Sequence, residues 1–242
     1  MAEYQGNVII VGMGRSGTTL LREILHRAFG SQRVEYYHWP RDYSNKRGMN
    51  GKKHEKDFWI ICQRDFRDVL ASGIRNMIQR IPHSDAMEDY RVSENNIPTE
   101  GFKKFRVDYH YKKEYYDYEY FIPEHQILKQ GHKMIDDGWN YWINNVDYIF
   151  CYEDYMKDRN KVVTDLMNKI PFNKVYDYPV DDLIGQTDDL IGQTDVWLGT
   201  NPQHASNGGK INGWSDVFSE KQEQIIIREF GGWLKEQGYI KE

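Results

Sequence analysis

The chain alternates short apolar runs with stretches of helical spacing. Asn7 to Val11 is apolar and runs into glycine, the pattern of a strand buried on both faces of a parallel sheet. From Thr18 onward, Leu20, Leu21, Ile24, Leu25, Ala28 and Phe29 recur at helical intervals, with Arg22, Glu23 and Arg27 on the other face. This predicts an amphipathic helix closed by Gly30. A second strand is predicted at Arg33–Tyr37, a third at Phe58–Gln63 and a helix at Arg67–Gln79. Further along, 136–145 reads as helical, Tyr148–Tyr152 as a strand and Asn160–Lys169 as a helix. Ser219 and Gln222 form a capping box ahead of Ile225–Ile227, Phe230 and Leu234, which predicts a C-terminal helix. This order implies an α/β fold with a central parallel sheet flanked by helices. No linker-like segment interrupts it, so residues 1–242 are read as a single domain.

Two stretches depart from this pattern. Residues 81–130 are irregular and rich in tyrosine, above all in YHYKKEYYDYEYF at 109–121. The heptapeptide DDLIGQT at 181–187 is repeated identically at 188–194. One tandem copy is too few for a stacked repeat, so it reads as a duplication carried in a loop.

Composition narrows the class. With 39% hydrophobic and 29% charged residues the chain is expected to be soluble. No apolar run approaches the ~20 residues of a membrane span, and MAEYQGNVIIVG lacks the marks of a secretory signal. Cys62 and Cys151 both sit in apolar strand-like runs and read as buried packing thiols rather than a disulfide framework. The expected setting is a reducing cytoplasm. Net charge is −5, yet residues 1–80 carry 14 Lys and Arg against 8 Asp and Glu. A small polyanion held by the N-terminal part fits that asymmetry, and a basic loop holds Lys46, Arg47, Lys52 and Lys53. The acidic balance argues against a nucleic-acid partner.

The segment GMGRSGTTLL, residues 12–21, carries the first candidate chemistry. It copies the spacing of a phosphate-binding loop but has Thr18 where ATP and GTP enzymes place lysine. A strand, a glycine-rich turn and a helix start direct backbone N–H groups and the positive end of the helix dipole at an anion. Gly14 and Gly17 permit the tight backbone, Ser16, Thr18 and Thr19 offer hydroxyls, and Arg15 supplies a cation.

GRSGTTLL resembles the 5′-phosphosulfate loop of the sulfotransferases that use 3′-phosphoadenosine 5′-phosphosulfate (PAPS) and release 3′,5′-bisphosphoadenosine (PAP). RDFRDVLAS, 64–72, is similar to that family's 3′-phosphate motif, an arginine at a strand end and a serine eight residues later. The resemblance implies that Arg64 and Ser72 hold the second phosphate. FCYEDYMKDRNKVVTDLMNKI, 150–170, resembles the family's strand ending in Tyr-Glu-Asp, which implies that Tyr152 lies near the adenine. The segment 208–239 resembles its last loop and helix, with Gly208, Gly209 and Lys210 in place of an Arg-Lys-Gly loop on the 3′-phosphate. Residues 81–135 match nothing in the family and form a variable insert, a candidate lid over the acceptor site.

The implied reaction is in-line transfer of a sulfuryl group to a hydroxyl or amine, with Arg15 stabilising the developing charge. The leaving group is a phosphate, so no metal is required, and the eight histidines show no metal-ligand spacing. YYHWP, 36–40, is similar to the family's Lys-Thr-His-Leu-Pro and puts His38 at the general-base position, with Tyr36 in place of lysine. Glu35, His54 and Glu119 are the other candidates for the base. The acceptor is expected to be a small molecule or a carbohydrate, and the tyrosine-rich segment either lines its pocket or packs the insert. Two further readings stay open at this point, a P-loop kinase and a non-catalytic nucleotide-binding protein.

Overall fold

Each of the apolar runs becomes a strand in the computed structural model, which describes residues 6–40, 43–44, 53–79, 124–185 and 211–241. The strands are β1 (Val8–Gly12), β2 (Val34–Tyr37), β3 (Phe58–Gln63) and β4 (Tyr148–Cys151). They pair in parallel in the order β2-β1-β3-β4. The helices are α1 (Thr18–Phe29), α2 (Phe66–Gln79), α3 (Glu124–Ile135), α4 (Tyr152–Lys157), α5 (Arg159–Lys169) and α6 (Glu220–Glu236). The expected α/β class and parallel sheet are therefore present. The order has a consequence for function. The chain leaves β1 toward β2 and returns to β3 on the other side of β1, and open parallel sheets bind ligands beyond the strand C-termini at such a reversal.

The fold divides into two compact units, Met1–Asp65 with His132–Ile211, and Phe66–Gly131 with Asn212–Glu242. The first holds the sheet. Val8, Ile10, Ile60, Cys62 and Phe150 point to one face and pack with Leu21, Leu25, Phe29, Val163 and Leu166 of α1 and α5. Trp59 points to the other face, into rings of Tyr43 and Trp142 at centroid separations of 5.1 and 5.4 Å. In the second unit Phe66 of α2 packs on Phe230 of α6, 5.0 Å between rings. The capping box of α6 is present: Ser219 Oγ accepts from the Gln222 amide, and Gln222 Oε1 accepts from the Ser219 amide. Gly30 closes α1 by donating to the His26 carbonyl at 2.8 Å.

Several expectations need correction. Part of the stretch read as irregular is the helix α3. The single helix expected over 136–145 is a π-helical turn, Asp136–Asn140, and a 3-10 turn, Ile143–Asn145. Tyr152 does not end a strand but opens α4. The first DDLIGQT copy is no passive loop: 180–185 is helical, and Leu183 and Ile184 join the core beside α1 and α5. Its second copy lies outside the described residues. Both cysteines are free thiols, but only Cys62 is buried, and Cys151 is half-buried. No helix among the described residues is long and apolar enough to cross a membrane.

Candidate active site

Strand register decides which loops meet. Val11 pairs with both Tyr37 and Ile61, and Gln63 pairs with Cys151. The residues that follow these strands, namely the 13–17 loop, His38, Arg64 and Tyr152, therefore leave the sheet at one edge, all within the first unit.

The loop is built from backbone. Gly17 has φ 103°, a conformation that L side chains rarely adopt, and it starts α1 without a side-chain cap. The first turn of α1 also has no acidic residue, so no carboxylate within it offsets the positive end of the helix. Ser16 is buried and donates its hydroxyl to the Met13 carbonyl at 2.6 Å, which spends that proton inside the turn. Thr18, at the position of the nucleotide enzymes' lysine, is buried at 2% exposure, whereas Thr19 and Arg15 are exposed. Arg15 has φ 75°, a left-handed backbone for a residue with a side chain.

Arg64 closes the loop from the neighbouring strand. Its Nη1 donates to the Arg15 carbonyl at 3.1 Å, and its guanidinium lies 4.5 Å above the Tyr152 ring. Tyr152 in turn packs against Gly17, where an added Cβ would lie 2.9 Å from Cδ2 of the ring. With Arg64 only 8% exposed, its hydrogen bond and its cation–π contact fix a charge that is costly to bury alone. His38 stands on the other side of the loop, and a Cβ on Gly14 would be 3.9 Å from its Cγ. The Tyr36 ring meets His38 edge-on at 5.6 Å.

The other candidate bases have different surroundings. Glu35 accepts from Asn7 Nδ2 at 2.8 Å and from the Tyr37 hydroxyl. His54 precedes β3, at the opposite sheet edge, and its Nδ1 accepts from the Lys56 amide at 3.2 Å. Lys53 of the basic loop is ion-paired with Asp147, ahead of β4, also at that far edge. Glu119, Lys46, Arg47, Lys52, the tyrosine cluster, and Gly208, Gly209 and Lys210 lie outside the described residues. Ser72 is half-buried on α2 and belongs to the second unit, Arg64 to the first.

Sequence reading passed over two features. Glu153, one residue beyond Tyr152, accepts from the Asp65 amide at 2.8 Å and so ties the turn after β3 to the start of α4. The signal for it was its place in the Tyr-Glu-Asp stretch. In the second unit Asp68 accepts the amides of Asn212 and Trp214, both at 2.9 Å, while Arg67 covers the Trp214 ring at 4.3 Å. All four charges of the Arg-Asp-x-Arg-Asp run, Arg64, Asp65, Arg67 and Asp68, are thus buried.

No family model matches the sequence, and none of the curated proteins does. Thirty chains of solved structures match the fold. One is a mouse sulfotransferase complexed with PAP, which superposes with a TM-score of 0.53 at 13% identity, over 97% of this chain and 86% of that one. At that identity the likeness is one of fold: this chain has a sulfotransferase-like α/β fold.

Proposed function

We propose that the protein transfers a sulfuryl group from PAPS to a hydroxyl or amine acceptor. One observation carries the reading: the glycine loop, Arg64 on the Arg15 carbonyl and His38 beside Gly14 lie together at one edge of the sheet. The fold shared with a PAP-bound sulfotransferase supports it.

In this reading the amides of the loop and the hydroxyl of Thr19 hold the 5′-phosphosulfate, with Gly14, Ser16, Gly17 and Thr18 shaping the turn. Arg64 and Ser72 take the 3′-phosphate, joined by Gly208, Gly209 and Lys210, and Tyr152 borders the adenine. The acceptor, a small molecule or a carbohydrate, approaches from the His38 side. Its oxygen or nitrogen forms the new bond to sulfur as the bond from sulfur to the bridging oxygen breaks. His38 takes the acceptor's proton, PAP leaves, and Arg15 offsets the charge that grows on the bridging oxygen.

Calorimetric titration with PAP, AMP and magnesium–ATP tests the donor. Two charge-assisted contacts at about 1.5–3 kcal/mol each imply that PAP binds about a hundredfold or more tighter than AMP. Equal affinities, or a preference for magnesium–ATP, overturn the proposal. With labelled PAPS and a panel of hydroxyl and amine acceptors, His38→Asn is expected to stop transfer while PAP affinity holds. Continued transfer removes His38 as the base.

A further inference from the structure

A continuous line of contacts runs from α4 to the tip of the anion loop. It starts at Glu153, whose Oε1 accepts from the Asp65 amide at 2.8 Å and whose Oε2 lies 3.5 Å from Cys151 Sγ. Asp65 is the residue after Arg64, so this bond pins the backbone from which the Arg64 side chain departs. Arg64 then reaches the Arg15 carbonyl at 3.1 Å, with Tyr152 beneath it at 4.5 Å. Arg15 is held at φ 75°, one of two non-glycine residues with positive φ among those described. Such a backbone persists where its surroundings over-determine it. Here the donor on its carbonyl comes from a side chain whose own backbone is set by Glu153.

We infer that Glu153 is a positioning residue for the anion loop, acting through Arg64 on the left-handed turn at Arg15. The inference rests on the proposed nucleotide site and adds to it a link between its two phosphate-binding ends. A carboxylate that touches no phosphate sets the geometry at both. Because Glu153 works as a hydrogen-bond acceptor for the Asp65 amide, an uncharged acceptor of the same length should replace it. A purely electrostatic role would not allow that.

The test is calorimetry of AMP and PAP binding to the full chain as wild type, Glu153→Ala and Glu153→Gln, with melting temperatures alongside. Loss of one hydrogen bond to the turn is expected to weaken both nucleotides by about three- to tenfold in Glu153→Ala. Glu153→Gln should stay within about twofold of wild type. If Glu153→Ala does not fold, Glu153→Asp, too short to reach the amide, carries the same expectation as the alanine variant. Unchanged AMP and PAP affinity in Glu153→Ala overturns the inference, and so does a glutamine variant as weak as the alanine one. Failure of the donor reading looks different: wild type then binds PAP no better than AMP, while the effect of Glu153→Ala on AMP still decides the link. A wild type that binds neither nucleotide overturns both.

Discussion

The turn after β1 and the turn after β3 leave the same edge of one sheet, yet they are made of different material. The first runs from Gly12 through Gly17 and presents backbone amides; its buried polar side chain, Ser16, is spent on its own Met13 carbonyl. The second, Gln63 to Asp65, has no glycine and presents side chains, with Arg64 and Asp65 buried at 8% and 3% exposure. A backbone site gains its charge from aligned dipoles and tolerates little added volume. A side-chain site carries a full charge and needs partners to keep it in place, here the Arg15 carbonyl and the Tyr152 ring, with Glu153 on the next residue's amide. In the proposed reading the two turns meet two different demands of one nucleotide: close approach at one, a reach across a gap at the other.

Four substitutions press on that contrast, the largest expected effect first. Arg15→Ala removes the one side-chain charge of the backbone turn and should lower sulfuryl transfer by about 10²–10³, or about 2.7–4 kcal/mol. Its melting temperature should hold, since alanine is no worse placed than arginine at φ 75°. Near-normal turnover would show that the amides suffice. Gly17→Ala adds a Cβ at φ 103° and 2.9 Å from the Tyr152 ring, and is expected to cost about 2–4 kcal/mol in denaturant unfolding along with nucleotide binding. An intact, stable variant would mean that the loop is less confined than its geometry implies. Arg64→Ala strips the side-chain turn, with PAP affinity expected to fall by about 1.5–3 kcal/mol, about ten- to a hundredfold, and AMP affinity by less. Equal losses for the two nucleotides would place Arg64 in loop support alone. Gly14→Ala is the control: the added methyl would lie 3.9 Å from His38, an ordinary contact, and stability should change by less than about 0.5 kcal/mol. A larger loss in the same unfolding measurement would show that the loop has no room on the His38 side.

What the sequence made legible is what depends on local pattern. Apolar runs marked β1, β2 and β3 within a residue or two at their ends, and Ser219 with Gln222 announced the start of α6. The residues at the carboxyl edge, Arg15, His38, Arg64 and Tyr152, were all singled out from motifs, and their places in the first unit follow from register. Features set by packing were not legible. Gly131 argues against a helix by propensity, yet it sits inside α3 because an added Cβ would fall 2.3 Å from Phe230. The first DDLIGQT copy looks polar enough for a loop, but Leu183 and Ile184 give its described part a buried face. Glu153 stood in the quoted Tyr-Glu-Asp stretch, but nothing local told of its partner, an amide 88 positions away in the chain.

The bond from Arg64 ends on the carbonyl of residue 15, not on its side chain. Every amino acid has that carbonyl, so the turn's support is indifferent to which side chain position 15 displays, provided the residue accepts a left-handed backbone. Scaffold and reagent are thereby decoupled at a single position. Asparagine or glycine there would keep the cradle and discard the cation, and lysine would exchange one cation for another. The loop is a mount with an interchangeable head, and selection or a protein engineer can vary the chemistry at its tip without rebuilding what holds it.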